Sequence, residues 1–376
     1  TDKEEERKEI YALIDQTSNE AAKYAIANEY DKMLSGIGAK GTNAYTSFEQ
    51  PVYINDIPAN QIGNWLKIEG ERFRNPILRL FHTELEAVYE EKNISLDSDS
   101  RSHFFTMLEE LFPRHNYGQQ TTIGTIDHLK NPSIKKIKEY YGNYYVPNNM
   151  AIMLSGDFDP DEAIQLIDQN FGYYQSRDVI PYEPPTEAPL TKVTERSIYG
   201  PEAEGVMIGY RYPGTASDDA RVLEVIDLLL SNSSAGLIDL NLNQQQKVLS
   251  AYSSPMALRD YSVHMLFGSP REGQSLEEVR DLLLAQIEMI KNGEFEEGML
   301  RAIVNNTQIE KMERYESNYG RTSEFVEAFT TGQDWSDYIQ RLPKMREITK
   351  DDIVRIANEY YKDNYVIVYK RKGERT

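Results

Sequence analysis

Apolar positions in the first 36 residues recur at helical spacing. Ile10, Leu13 and Ile14 form one stripe, and a second begins at Thr17, with Glu20 at capping-box distance. This predicts helix over 3–36, stopped by Gly36 and Gly38. From Gly41 to Ile57 the residues turn β-type (Tyr45, Phe48, Val52, Tyr53, Ile54 around Pro51) and predict one long strand or two joined at a bulge. Pro58 opens a helix carrying Ile62, Trp65, Leu66 and Phe73, and another follows from about Leu80, with Phe81, Leu85 and Val88 at i, i+4, i+7. Helix 132–145 leads through Pro147 into the apolar run Met150 to Leu154, which reads as a buried strand. Asp159-Pro160 then caps and starts a further helix.

The same grammar appears twice. Pro181, Pro184, Pro185 and Pro189 mark a stiff connector with no apolar periodicity. Beyond it come strand 206–210, helix 218–231, strand-like stretches at 248–258 and 261–267, helices from 275 to about 330, helix 349–361 and terminal strand 365–369. Both halves end alike: helix, paired tyrosines (Tyr140-Tyr141, Tyr360-Tyr361), an asparagine (Asn149, Asn364) and a strand. A duplication at a period of roughly 210–220 residues is too long for a solenoid and suits tandem domains. The expected fold class is α+β, two duplicated domains, each a mainly antiparallel sheet packed with helices. Their expected ranges are 1–175 and 193–376, with 176–192 as linker.

Composition narrows the chemistry. With 376 residues there is length for two or three cores, and 41 Lys and Arg against 61 Asp and Glu give a net charge of −20. Such a field opposes tracking along nucleic-acid phosphates. No stretch is long and apolar enough to span a bilayer, and the first residues are acidic where a signal peptide would be basic and then apolar. The absence of cysteine removes disulfides, thiolate metal sites and Cys nucleophiles.

Most motifs fail on context. Gly36-Ile37-Gly38-Ala39-Lys40-Gly41 spells G-x-G-x-x-G, but it runs from helix to strand, the reverse of a dinucleotide turn. Asp157, Asp159 and Asp161 alternate as in a calcium loop, yet Glu162 replaces the required glycine and Pro160 starts a helix. His82, His103, His115, His128 and His264 never stand at i, i+3 or i, i+4, so no helix presents a pair to a metal. Glu84 and Glu91 differ. Seven residues return to within about 20° of the same helical direction, so both carboxylates flank the stripe of Phe81, Leu85 and Val88. If buried they call for a cation or a metal; otherwise they are the solvated edge of an amphipathic helix.

Three stretches in order are Gly41-Thr42-Asn43-Ala44-Tyr45-Thr46-Ser47-Phe48-Glu49-Gln50, Glu84-Leu85-Glu86-Ala87-Val88-Tyr89-Glu90-Glu91, and Tyr144-Tyr145-Val146-Pro147-Asn148-Asn149-Met150 running to Ser155-Gly156-Asp157. An N-A-x-T strand followed by an E-x6-E helix, and then Tyr-Val-Pro before a strand ending Gly-Asp, resembles the M16 zinc peptidases. That is the pitrilysin, insulinase and mitochondrial processing peptidase family, and the resemblance runs over essentially the whole chain.

The resemblance implies a zinc metalloendopeptidase acting on peptides or unfolded segments. It makes Glu91 the carboxylate zinc ligand and Glu84 a supporting acid that orients a ligand. Asn43 and Ala44 lie on the edge strand that pairs with an extended peptide. The family's two imidazole ligands and its general base come from an H-x-x-E-H motif ahead of the N-A-x-T strand. No histidine precedes Asn43 here. The expectation is therefore a catalytic half without that segment, inactive alone, its zinc site incomplete, with the H-x-x-E-H segment and a second half as partners. The alternative is a non-catalytic peptide-binding or assembly subunit without zinc. The expected location is periplasmic or otherwise extracytoplasmic in a bacterium.

Overall fold

A computed structural model describes residues 3–78, 80–130, 132–232 and 235–375. They form two compact units: residues 1–94 with 122–182, and residues 95–121 with 183–376.

The first unit opens with α1 (Glu4–Ala22) and α2 (Glu29–Gly36), not one continuous helix. The Thr17 hydroxyl donates back to the Leu13 carbonyl at 2.8 Å instead of capping a new start, and the break falls at Asn28, whose φ of 54° is left-handed. Strands β1 (Lys40–Thr46) and β2 (Pro51–Asp56) pair antiparallel, so the β-type stretch is a hairpin and not a single strand. Ser47 N–H donates to Gln50 O at 2.8 Å across its turn, and the register shifts between Lys40 and Asn43 at Gly41, which takes a positive φ of 59°. Gly38, at φ 86°, carries the chain out of α2. The glycines of the G-x-G-x-x-G string thus shape a helix-to-strand junction.

Helix α3 (Ile62–Arg74) packs on α7 (Pro160–Phe171) so closely that a Cβ on Gly70 would lie 2.8 Å from the Asn170 carbonyl. Between them in sequence come α4 (Phe81–Leu96), α5 (Asp99–Leu111) and α6 (Ile134–Tyr144). Asp159 caps α7 through the Glu162 N–H, as its sequence signature predicts. Met150 to Leu154, read as a buried strand, belongs to no strand and is exposed to half-buried. Among the described residues the sheet of this unit is only the β1–β2 hairpin, so the run has no ladder to join.

The second unit is a five-stranded sheet in the order β3-β7-β4-β6-β5, from β3 (Thr194–Gly200), β4 (Gly205–Pro213), β5 (Ser250–Met256), β6 (Tyr261–Ser269) and β7 (Tyr365–Lys372). Only β3 and β7 run parallel. One face, with Ile208, Tyr210, Leu266 and Ile367, joins the core formed with α8 (Asp218–Leu230), α9 (Leu276–Lys291) and α12 (Lys350–Tyr360). Helices α10 (Glu297–Tyr315) and α11 (Asn318–Thr331) follow α9 in the chain. The other face carries Gly209, where an added Cβ would lie 2.5 Å from Met107 Sδ and 3.0 Å from Leu111, so α5 lies directly on it. Covering both faces explains why the central strands read as nearly unbroken apolar runs. It also explains why residues 95–121 cluster with the second unit: α5 contributes Met107, Leu108 and Leu111, all fully buried.

Candidate active site

The carboxylates on α4 keep their helical neighbours but not a buried setting. Phe81, Leu85 and Val88 are half-buried, while Glu84 and Glu91 are both exposed. The rise of 1.5 Å per residue separates their Cα atoms by about 10 Å along the axis. Their surroundings match the solvated edge of an amphipathic helix. Lys92, next in the chain, is buried, and desolvation pulls its ammonium below the usual lysine range.

Asn43 and Ala44 lie on β1, where every residue from Asn43 to Thr46 is exposed. Ala44 stands opposite Tyr53 and Asn43 opposite Ile54 in the ladder to β2. The Ala44 N–H donates to the Asn43 side-chain oxygen at 2.8 Å. That amide is therefore turned away from β2, and its own neighbour's side chain occupies it. Alternation along an antiparallel strand then aims the backbone N–H groups of Ala44 and Thr46 toward the outer edge of the hairpin.

Tyr53, on β2, is 42% exposed, and its hydroxyl meets that of Tyr145 at 3.0 Å. Arg72 stacks over Tyr30, Tyr53 and Phe73 at 4.7, 4.5 and 4.3 Å from their ring centres. It also donates from Nε at 2.9 Å to Glu69, a carboxylate only 3% exposed that accepts from the Tyr30 hydroxyl at 2.5 Å as well. Burial, then the hydrogen bond and charge of Glu69, push the Tyr30 hydroxyl up to about 12. This cluster stiffens β2 from beneath.

As a complete zinc centre the residues present do not fit. Among the described residues no three His, Asp or Glu side chains come together to hold an ion. His103 Nε2 pairs with the Val368 carbonyl at 2.7 Å, His115 with Asp260 at 3.3 Å, and His264 with Asp227 at 2.9 Å and the Tyr361 hydroxyl at 2.5 Å. All three serve the interior of the second unit. Ser253 completes the last group by donating to Asp227 at 2.6 Å. The serine faces the aspartate and not the imidazole, so this Ser-Asp-His chain is a buried structural network without an activated hydroxyl. Sequence patterning missed it because the members come from α8, β5 and β6 and share no local spacing.

Comparison with known proteins adds the following. The family described as Peptidase M16 inactive domain matches residues 133–307. The "Zinc protease PqqE" of Helicobacter pylori is 25% identical over 366 residues, covering 94% of this chain and 81% of that protein. The "Probable inactive metalloprotease YmfF" of Bacillus subtilis is 21% identical and covers 79% of this chain and 68% of its own length. Among solved structures, a protease from Helicobacter pylori superposes with a TM-score of 0.84 at 23% identity, covering 91% of this chain and 84% of that one. The periplasmic protease PqqL from Escherichia coli superposes with a TM-score of 0.72 at 16% identity, over 91% of this chain and 40% of that one.

Proposed function

We infer that this chain, which belongs to the M16 peptidase family, is the peptide-binding bulk of a zinc metalloendopeptidase that takes extended peptides or unfolded segments as substrates. The observation that carries the reading is β1. Among the described residues it pairs on one side only, it is exposed from Asn43 to Thr46, and it offers the Ala44 N–H outward. A peptide laid along it gains backbone hydrogen bonds and is held extended, the geometry in which a peptide carbonyl is accessible to attack. The peptide displaces the Asn43 side-chain oxygen from the Ala44 amide, and the freed Asn43 amide group can bond the peptide's own backbone.

In this reading Glu91 gives one carboxylate to the zinc and Glu84 supports a ligand, while two imidazoles and a general base come from residues this sequence does not contain. The chain by itself binds peptide without cleaving it. The reading also puts the protein outside the bacterial cytoplasm, in line with the description of the Escherichia coli relative as periplasmic.

A second reading, a non-catalytic peptide-binding or assembly subunit, draws support from the solvent-exposed setting of Glu84 and Glu91 and from the naming of the YmfF relative as inactive. One experiment separates the two. The purified chain is mixed with an unstructured peptide, with and without zinc, and then with an added H-x-x-E-H-bearing segment. The peptidase reading expects slowed amide exchange at Ala44 and Thr46, no cleavage by the chain alone, and zinc binding on complementation that Glu91→Gln weakens about tenfold or more. Unchanged zinc affinity in Glu91→Gln removes Glu91 as a ligand. Peptide binding with no zinc uptake after complementation selects the non-catalytic subunit, and chelator-sensitive cleavage by the chain alone overturns the incomplete site.

A further inference from the structure

The two units repeat one chain order and differ at one place in it. In the second unit, α12 ends at the paired tyrosines Tyr360 and Tyr361, and Asn364 leads into β7. In the first, α6 carries Tyr140 and Tyr141, and Asn149 leads into Met150 to Leu154. Matching the two asparagines sets Met150 to Leu154 against Tyr365 to Tyr369. The hairpins correspond as well: β1–β2 is followed by α3 as β5–β6 is followed by α9.

Inside its sheet, β7 has β3 parallel on one side and β4 antiparallel on the other, and β4 in turn pairs antiparallel with β6. The first unit holds the counterparts of β7 and β6, namely the run Met150–Leu154 and β2. Among the described residues neither of them has a strand in the place of β4. Burial reflects this difference: Ile367 of β7 is 1% exposed, while its counterpart Ile152 is 38% exposed.

The backbone reflects it too. From Met150 to Leu154 no amide or carbonyl makes a hydrogen bond among the described residues, although Met150 is already extended at φ −131° and ψ 153°. On β2, the alternation that turns Ala44 toward the outer edge of β1 turns the amides of Tyr53 and Asn55 away from the hairpin on the opposite side. Neither of those N–H groups has a partner among the described residues. Two rows of unpaired backbone groups, one of them on an apolar run, are what an added strand satisfies.

We propose that the first unit takes an extended segment, supplied from outside residues 1–376, between β2 and Met150–Leu154 and antiparallel to both, in the place that β4 holds in the second unit. The segment is apolar on both faces, as β4 is, where Val206, Met207, Ile208 and Tyr210 are all buried. Val206 to Tyr210 pair with Tyr369 to Tyr365, so a segment of the same length covers the whole run. This strand site lies away from the outer edge of β1. It holds whether or not β1 takes a peptide, and whether or not the added segment carries a zinc ligand.

The test uses the full chain and, as the probe, a synthetic peptide with the β4 sequence Gly205–Pro213, read out by amide hydrogen exchange. Exchange is expected to slow about tenfold or more at alternate amides from Met150 to Leu154 and at Tyr53 and Asn55, with Ala44 and Thr46 unchanged. The same peptide with Ile208→Pro cannot continue a ladder and is expected to give no protection, a comparison that leaves the protein itself untouched. In the protein, Ile152→Pro has no backbone hydrogen bond to lose and is expected to abolish protection by the unmodified peptide. Unchanged exchange from Met150 to Leu154 overturns the proposal. So does protection confined to Ala44 and Thr46, or equal protection by the proline-bearing peptide.

Discussion

Asp99 and Lys370 meet at 2.8 Å with both side chains almost wholly buried, one at the start of α5 and the other near the end of β7. Almost three-quarters of the chain separates them in sequence, and the pair fixes the inserted segment 95–121 to the last strand of the second unit. The carboxylate also accepts from Arg375 at 2.8 Å and from the Glu202 backbone N–H at 2.8 Å, while Lys370 donates to the Gly200 and Ala203 carbonyls at 3.3 and 3.1 Å and to that of Glu202. A buried pair satisfied this fully can offset its desolvation.

Acid sensitivity follows from Asp99. Burial alone would raise its pKa, but the hydrogen bonds from Lys370, Arg375 and the Glu202 amide outweigh it and hold the group at about 2, below its ordinary 3.8. The folded pKa is depressed, so the stability it contributes is complete above about pH 4 and is lost as pH falls toward 2. Asp99→Asn is expected to cost about 3 kcal/mol at pH 7 by leaving Lys370 without its counter-charge. Melting curves of both proteins from pH 7 to pH 2 check this; a gap that stays constant over that range contradicts it.

Gly200 closes β3 against the same carboxylate, and a Cβ there would lie 2.2 Å from both Asp99 oxygens. Gly200→Ala forces apart a pair that cannot swing away without breaking its bonds. Urea unfolding is expected to show a loss of about 2–3 kcal/mol. A wild-type midpoint would mean that α5 can shift without cost.

On β1, Ala44→Pro deletes the outward amide at the centre of the edge that the peptide-binding reading uses, while the ladder to β2 keeps its bonds because that amide is not in it. The expected outcome is a near-normal melt with loss of peptide-induced exchange protection at Thr46, whose amide shares the outward direction of Ala44. Undiminished protection would move the peptide elsewhere.

Tyr30 reports on Glu69. With burial first and Glu69 second among the causes, Glu69→Gln is expected to bring the Tyr30 hydroxyl down from about 12 toward the ordinary 10. Ultraviolet titration reads the shift. The native state holds that proton more tightly than the unfolded chain, so stability contributed by this group falls as pH rises above 10, and the variant loses less of it.

Periodicity made much of the fold legible. The α7 start at Asp159-Pro160, the stripe of α4, strands β4, β6 and β7, and the helix-to-strand role of the Gly36–Gly41 string follow from local rules that need only neighbouring residues. Local rules failed at α1, where Thr17 found a better bond to Leu13 than a cap, and at Met150–Leu154, whose apolar run had no ladder to join. For the candidate site, sequence put Glu84 and Glu91 on one side of a helix and Asn43 and Ala44 on a strand, because those are consequences of helical and pleated geometry.

Exposure could not be read that way, since it depends on what arrives from distant sequence to cover a face. Tertiary structure alone decided that the α4 carboxylates face solvent, that Asn43 caps Ala44, and that Asp99 finds Lys370. The sequence by itself determined which stretches fold as helix or strand and which family they resemble, because spacing along the chain sets which side chains share a direction. Only the packed chain determined burial and pairing, because desolvation and hydrogen bonding act between residues that meet in space.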